Sequence, residues 1–335
     1  MKSLNDIITV RSTMLATVFV FLLLAALITM GLLTPFIMRV STGKEILLDA
    51  AYFNIRAALP TLALVLLMTI CLLIGVSGKK GALAGLGVGL SGSFLSVIFS
   101  PFSSFPVNIS FPLLAVSLFS VVCRLLSLRE KTLKGALRRA GPHIVHLGAV
   151  LLLLGIVFST NLSLEDSVVV PLGETGTFKS MGYSVHVTKL TSEVEGAPFD
   201  GYPGSSYVST IAFDIYRGDK FFDRGQIKYI TDFKWRQSYT ETYIHRGLLE
   251  ELFIAPKSVD SKAQKVNIYV RKVPFMTALW SGFFIMVLGI LFLFFSDSLF
   301  QAKSLSENKS LDSLSSENTF QAHESERTEL LRKGL

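Results

Sequence analysis

Long apolar runs fill the first half of the chain and return once near its end. A helix needs roughly 20 apolar residues to cross the hydrocarbon core of a membrane. Six runs meet that measure: residues 14–37, 57–75, 81–100, 109–126, 142–159 and 274–295. Pro112 falls near the start of the fourth, where its missing N–H costs little. Between the fifth and sixth runs the pattern changes. Residues 167–171 form a β-branched run, residues 183–188 and 207–216 alternate, and residues 226–230 and 266–271 read as further strands. Arg217-Gly218-Asp219 followed by residues 220–222 predicts a hairpin. Residues 196–204 hold three glycines and two prolines and read as a loop. From Asp297 the chain is rich in Ser, Glu and Lys, which predicts a disordered tail with a short helix near residues 324–331.

The expected fold class is therefore an α-helical polytopic membrane protein with six transmembrane helices and an inserted extracytoplasmic β-rich domain. Residues 1–159 hold five spans, 160–272 the β-rich domain, 273–296 the sixth span and 297–335 a cytoplasmic tail. The two ends of the β-rich domain must lie close together, because both feed helices of one bundle.

Composition agrees. Half of the 335 residues are apolar and only 17% are charged, against about 25% in soluble domains. Cys71 and Cys123 both lie inside apolar runs, which excludes a disulfide framework, a CxxC…CxxC zinc site and a thioredoxin-like motif. No CxxCH is present for covalent haem, and no phosphate-cradling glycine motif opens a helix. The net charge of +7 sits beside the apolar runs, so it points to membrane topology rather than to nucleic acid.

With the N-terminus inside, the inner short segments carry Lys2, Arg11, Lys79, Lys80, Arg124, Arg129, Lys131, Lys134, Arg138 and Arg139. The outer ones carry only Arg39, Lys44 and Arg56. Ten against three places both termini in the cytoplasm and residues 160–272 outside. That segment has 14 acidic and 14 basic residues, and long domains translocate regardless of charge. The first run is too long for a signal peptide. The expected location is the plasma membrane, with a multi-pass chain.

Gly81, Gly85 and Gly89 recur every four residues and form a flat strip for close helix packing, within this chain or with a partner subunit. The polar signal at membrane level is Gly141-Pro142-His143-Ile144-Val145-His146-Leu147-Gly148. Ionisable residues in a spanning helix are costly and functional by default. His143 and His146 are three apart and share one face. Axial ligands reach a haem iron from opposite sides, so at most one of the pair serves a given iron and the second ligand must come from another helix; a bis-histidine haem would need a second polypeptide, since no other histidine of the chain lies in the apolar runs. An interfacial histidine pair touching headgroups is the alternative. Gly141, Gly148 and Gly155 are seven apart, forming a strip for a flat macrocycle or a neighbouring helix. In the β-rich segment His186 and His245 read as surface histidines, with no catalytic set around them.

At these residues the chain resembles the C-terminal half of the CcmF-type cytochrome c haem lyases. Gly31-Leu32-Leu33-Thr34-Pro35 resembles the family's Gly-Thr-x-x-Pro, and Tyr52-Phe53-Asn54 its Tyr-Phe-Asn. Gly141 to Gly148 resembles its Gly-x-x-x-x-His-x-Gly, with His146 in the ligand position. Leu172-Gly173-Glu174 and Thr240-Glu241 recur in the β-rich segment, and Pro274, Trp280, Gly282 and Gly289 match the last helix. The similarity covers residues 11–297. The family's tryptophan-rich WWD motif and its first-half helices have no counterpart here, where the tryptophans are Trp235 and Trp280.

The resemblance implies a split subunit of a haem lyase. Its cofactor is haem b shared with a partner, with His146 as an axial ligand to the iron and His143 as its neighbour. The implied partners are a WWD-containing subunit, a haem chaperone, apocytochrome c and the lipid bilayer. The covalent attachment site would lie mainly on the WWD subunit. The competing reading is a membrane scaffold of the biogenesis complex that binds no haem. A transporter permease lacks support, since no paired acidic residues lie within the runs and no internal repeat is visible.

Overall fold

The computed structural model describes residues 9–128 and 133–295. The expected tail at 297–335, its short helix and the basic residues Lys2, Arg129 and Lys131 lie outside them. The first helix, α1, spans Val10–Thr42. Thr9 and Ser12 close a reciprocal capping box at its start, and Gly43 ends it in the left-handed region at φ 66°. The second, α2, spans Ala50–Phe99 and is capped by the Asp49 carboxylate on the Tyr52 N–H at 2.9 Å.

Fifty residues make a helix about 75 Å long, far more than one membrane core of about 30 Å. It does not run straight. Gly78 sits at φ 69° and ψ −173°, a conformation open to glycine alone, and there the chain doubles back. The helix α3, Phe105–Leu126, shows the reversal. On the first leg of α2, Thr69 meets Ser117 at 2.5 Å and the Gly75 carbonyl accepts from Arg124 at 2.6 Å, so this leg runs parallel to α3. On the second leg, Gly92 faces Pro112, Gly89 faces Leu113, and Ser93 donates to the Ile109 carbonyl at 2.7 Å, so that leg runs antiparallel. The two expected runs at 57–75 and 81–100 are thus the legs of one broken helix. Gly85 faces Leu73 of the opposite leg and Gly89 faces α3. The four-residue glycine strip therefore packs within the chain.

Two helices start earlier than their apolar runs. In α3 the N-terminal proline is Pro106, and Pro112 lies inside the helix. The helix α4 spans Leu133–Asn161, with Pro142 in its interior. Its first turns are polar and basic, so hydropathy alone starts the helix too late. Each interior proline removes one ladder hydrogen bond. The last helix, α5, is Met276–Phe295. All five helices are long and apolar enough to cross a membrane. Val65 of α2, Val107, Leu113 and Leu114 of α3, and Val150, Leu154 and Phe158 of α4 form a core shared by these three helices. By contrast, among α1's residues only Thr13 and Gly31 are buried.

Between α4 and α5 the chain forms a two-sheet sandwich. One sheet joins β1 (Leu164–Pro171), β9 (Lys265–Pro274), β8 (Glu250–Asp260) and β7 (Tyr243–Arg246) in that order. The other joins β2 (Thr175–Phe178), β3 (Tyr183–Glu195), β4 (Ser206–Arg217), β5 (Lys220–Asp232) and β6 (Gln237–Glu241). Every pairing is antiparallel. The expected hairpin is present, with Arg217 opposite Lys220 and Gly218 at φ 60°.

Alternation drives the core. Tyr183, Val185 and Val187 point inward from β3, meeting Ile254, Ile268 and Val270 of the facing sheet. A bulge after Val187 shifts the phase, so Leu190 rather than Lys189 turns inward. The first and last strands pair with each other, Leu164 opposite Lys272, which brings the domain's two ends together as expected.

Candidate functional site

Helices α4 and α5 meet along a seam of glycines. A Cβ at Gly148 would stand 2.6 Å from the Gly282 carbonyl oxygen and would also strike the Met286 backbone. A Cβ at Gly282 would stand 2.7 Å from the Gly148 oxygen, and one at Gly289 would stand 3.1 Å from the Gly141 oxygen. Gly155 lies against the Leu279 backbone. Two seven-residue glycine series, 141/148/155 and 282/289, therefore interlock as flat surfaces. The strip on α4 is filled by a neighbouring helix, and no room for a macrocycle remains there.

At 100° per residue, His143 and His146 point away from that seam. They continue the side of α4 that carries Val150 and Leu154 into the core with α3. Both imidazoles share this face, with ring centroids 6.4 Å apart and planes 33° apart. The His146 Nδ1 donates to the Pro142 carbonyl at 2.6 Å. That bond fixes the ring and the tautomer, leaving the Nε2 lone pair as the free donor. A lone imidazole held this way suits an axial iron ligand. The His143 Nδ1 is buried with no hydrogen-bond partner among the described residues. Arg124 lies close enough to His143 for their charges to interact, and its guanidinium is bound to the Gly75 carbonyl. Among the described residues no group of three metal-ligating side chains occurs.

The sandwich adds a cluster that sequence reading missed. His245 on β7 is not a bare surface histidine: its Nδ1 lies 2.6 Å from the Asp223 carboxylate on β5. Tyr243 also donates to that carboxylate, and the Phe222 ring packs against the imidazole at a 55° tilt with centroids 4.5 Å apart. The Tyr243 hydrogen bond, with lesser help from His245, holds Asp223 below the usual carboxylate range. Twenty-two residues separate Asp223 from His245, and only the approach of the two sheets joins them, so no local motif announces the pair. His186 is half-buried, with its Nδ1 3.1 Å from the Thr175 hydroxyl.

Beside this cluster, Glu250 accepts from Tyr183 at 2.7 Å and from Lys272 at 2.7 Å. Burial and the bond to Glu250 push the Tyr183 hydroxyl up to about 12. Burial alone would raise Glu250, but Lys272 and Tyr183 outweigh it and hold its carboxyl low.

These features define a polytopic membrane protein with a β-sandwich inserted before its last helix and a positioned imidazole on the helix before the insert. No family model matches the chain, and no curated protein matches it. Among solved structures it is similar to "Cytochrome c Heme Lyase CcmF", with a TM-score of 0.66 at 16% identity over 86% of this chain and 46% of that one. The chain thus shares the fold of part of that protein and spans less than half its length.

The residues that carried the sequence resemblance have structural roles. Gly31 of α1 meets the rings of Phe53 and Tyr52, so two of the motifs form one contact. Gly141, Gly148, Gly282 and Gly289 are the seam. Gly173, at φ 80°, makes the turn from β1 to β2.

Proposed function

We propose that the chain is a membrane subunit of a cytochrome c maturation haem lyase, completed by a second, WWD-containing polypeptide. The CcmF-like fold over most of the chain, together with the carbonyl-anchored imidazole of His146, carries this reading. His146 Nε2 would hold the iron of a b-type haem, and a group of the partner chain would complete the site. His143 is its neighbour on the same face. Such a haem supplies one-electron redox chemistry. The protein's part is to orient the imidazole through Pro142 and to keep the site dry between helices. The two legs of α2 count as separate spans, giving six in all. The basic residues put both termini in the cytoplasm and the sandwich outside, where it offers a docking surface for apocytochrome c near a haem chaperone. Covalent attachment itself falls mainly to the partner chain.

The competing scaffold reading draws on two observations. The glycine strip on α4 is filled by α5, and Arg124 is already bound to a carbonyl. Haem content and reduced-minus-oxidised spectra of the co-purified complex decide between them. His146→Ala is expected to abolish the b-haem signal while His143→Ala retains it. Full haem in His146→Ala, or equal loss in both variants, overturns the assignment in favour of the scaffold. Reporter fusions test the topology. Fusions after Lys80 should read inside and fusions at Asp200 outside, and an inside signal from Asp200 refutes the placement.

A further inference from the structure

The end of the sandwich nearest the helices carries an unusual turn. Strand β9 runs into α5 at Pro274, and Glu250 pairs with Pro274, so the β7–β8 turn closes at the same level. Two hydrogen bonds clamp it there. The Phe275 N–H donates to the Leu249 carbonyl at 2.8 Å, and the Thr277 hydroxyl donates to the Gly247 carbonyl at 3.0 Å. A third, from the Gly247 N–H to the Glu250 carbonyl at 3.0 Å, tightens the turn itself. Held this way, Leu248 and Leu249 are 79% and 66% exposed.

What surrounds them is set by α5. Three residues beyond Thr277, Trp280 is half exposed and Phe284 stacks near it at 6.5 Å, with Phe283 and Phe284 also exposed. An outward Trp at the start of a spanning helix marks the membrane–water boundary. From Thr277 to Trp280 the helix rises only about 4.5 Å. The two exposed leucines are therefore held at the level of residues 275–277, within one helical turn of that boundary.

We propose that the turn at residues 247–249 is a membrane-dipping loop, with Leu248 and Leu249 entering the lipid beside α5. The loop sets the tilt of the sandwich over the bilayer. The proposal rests on α5 being a spanning helix and not on haem ligation.

The test uses the full chain with Cys71→Ser and Cys123→Ser, one copy per phosphatidylcholine nanodisc, carrying an environment-sensitive fluorophore at Leu248→Cys. Lys262→Cys, in the turn at the opposite end of the sandwich, is the reference. Interfacial burial of about 5–10 Å should shift the emission at position 248 to the blue. Shallow nitroxide lipids should quench it more than deep ones, as that depth requires, while position 262 behaves as in water. Water-like emission at 248 overturns the proposal. So does a blue shift without lipid quenching, which would mean a protein partner or a fold of the chain covers the loop. Haem content is read separately, so failure here and failure at His146 are distinct results.

Discussion

Adding one methyl group at Gly148 tests the α4–α5 seam. In Gly148→Ala the new Cβ would stand 2.6 Å from the Gly282 carbonyl oxygen and would also meet the Met286 backbone. These are backbone atoms, so no side chain can swing away. Ordinary contact begins at 3.4 Å and the nearest atom, the Met286 nitrogen, would lie about 1 Å inside that limit, so the helices must part by as much locally. A gap of that size forfeits roughly a quarter to a half of each dispersion contact along the seam. Overpacking of this kind costs about 1–3 kcal/mol. At ~2–4 °C per kcal/mol for a large domain, the midpoint of thermal unfolding should fall by roughly 2–12 °C.

Gly87→Ala is the matched control, because its Cβ would meet nothing within 4 Å. There the better helix propensity of alanine predicts no loss and a gain of up to about 1 kcal/mol. The assay is thermal unfolding of both variants in one detergent or nanodisc preparation. The two substitutions are chemically identical, so their difference isolates the seam. Equal midpoints would refute the close approach of α4 and α5.

Two further predictions follow from other parts of the chain. Gly78→Ala places a side chain in a region open only to glycine, so it should cost about 1–3 kcal/mol and shift the Lys80 reporter signal toward mixed topology; an unchanged midpoint and signal would deny the sharp reversal. Asp223→Asn probes the His245 cluster. The folded protein holds Asp223 below its ordinary value of 3.8, so its stabilisation is complete above that value and fades as pH falls through the depressed one. Amide exchange in β5 and β7 should therefore separate wild type from Asp223→Asn at pH 7, and the gap should narrow as pH falls below 3.8. A gap that widens in acid would contradict the cluster.

Length and hydropathy were enough to mark the five helices that can cross a membrane, two of the six expected runs falling on the legs of α2. They missed helix starts where polar turns extend a spanning helix, as before Pro142 in α4. Strand reading worked where alternation held and failed where it broke. The expected strand at 183–188 stops at the bulge after Val187, although β3 continues to Glu195 in the opposite phase. Strand β8 escaped notice because Pro256 and a second bulge interrupt its pattern. At the candidate site, the shared face of His143 and His146 was legible from spacing. The Pro142 bond was not, since it depends on a helix continuing through a proline. The strip at 141, 148 and 155 was legible, and the same seven-residue spacing at Gly282 and Gly289 was the unused signal that names its partner helix. The His245–Asp223 pair left no such signal, because it arises from tertiary contact alone.

The pairing of β1 with β9 has a consequence for assembly. More than a hundred residues separate the two halves of the glycine seam, and a flexible loop of that length is costly to close. Each doubling of loop length adds about 0.6 kcal/mol of closure entropy. Once the sandwich has folded, Leu164 and Lys272 are neighbours across a strand pair. The loop then behaves like a hairpin of about ten residues, which lowers the closure cost by about 2 kcal/mol. An antiparallel strand pair thus continues upward from an antiparallel helix pair, and the register of the first aligns the second. On this geometry the sandwich acts as an intramolecular jig that brings α5 to α4 already aligned, and a substitution that delays sandwich folding would strand the last helix beside its partner, unlocked.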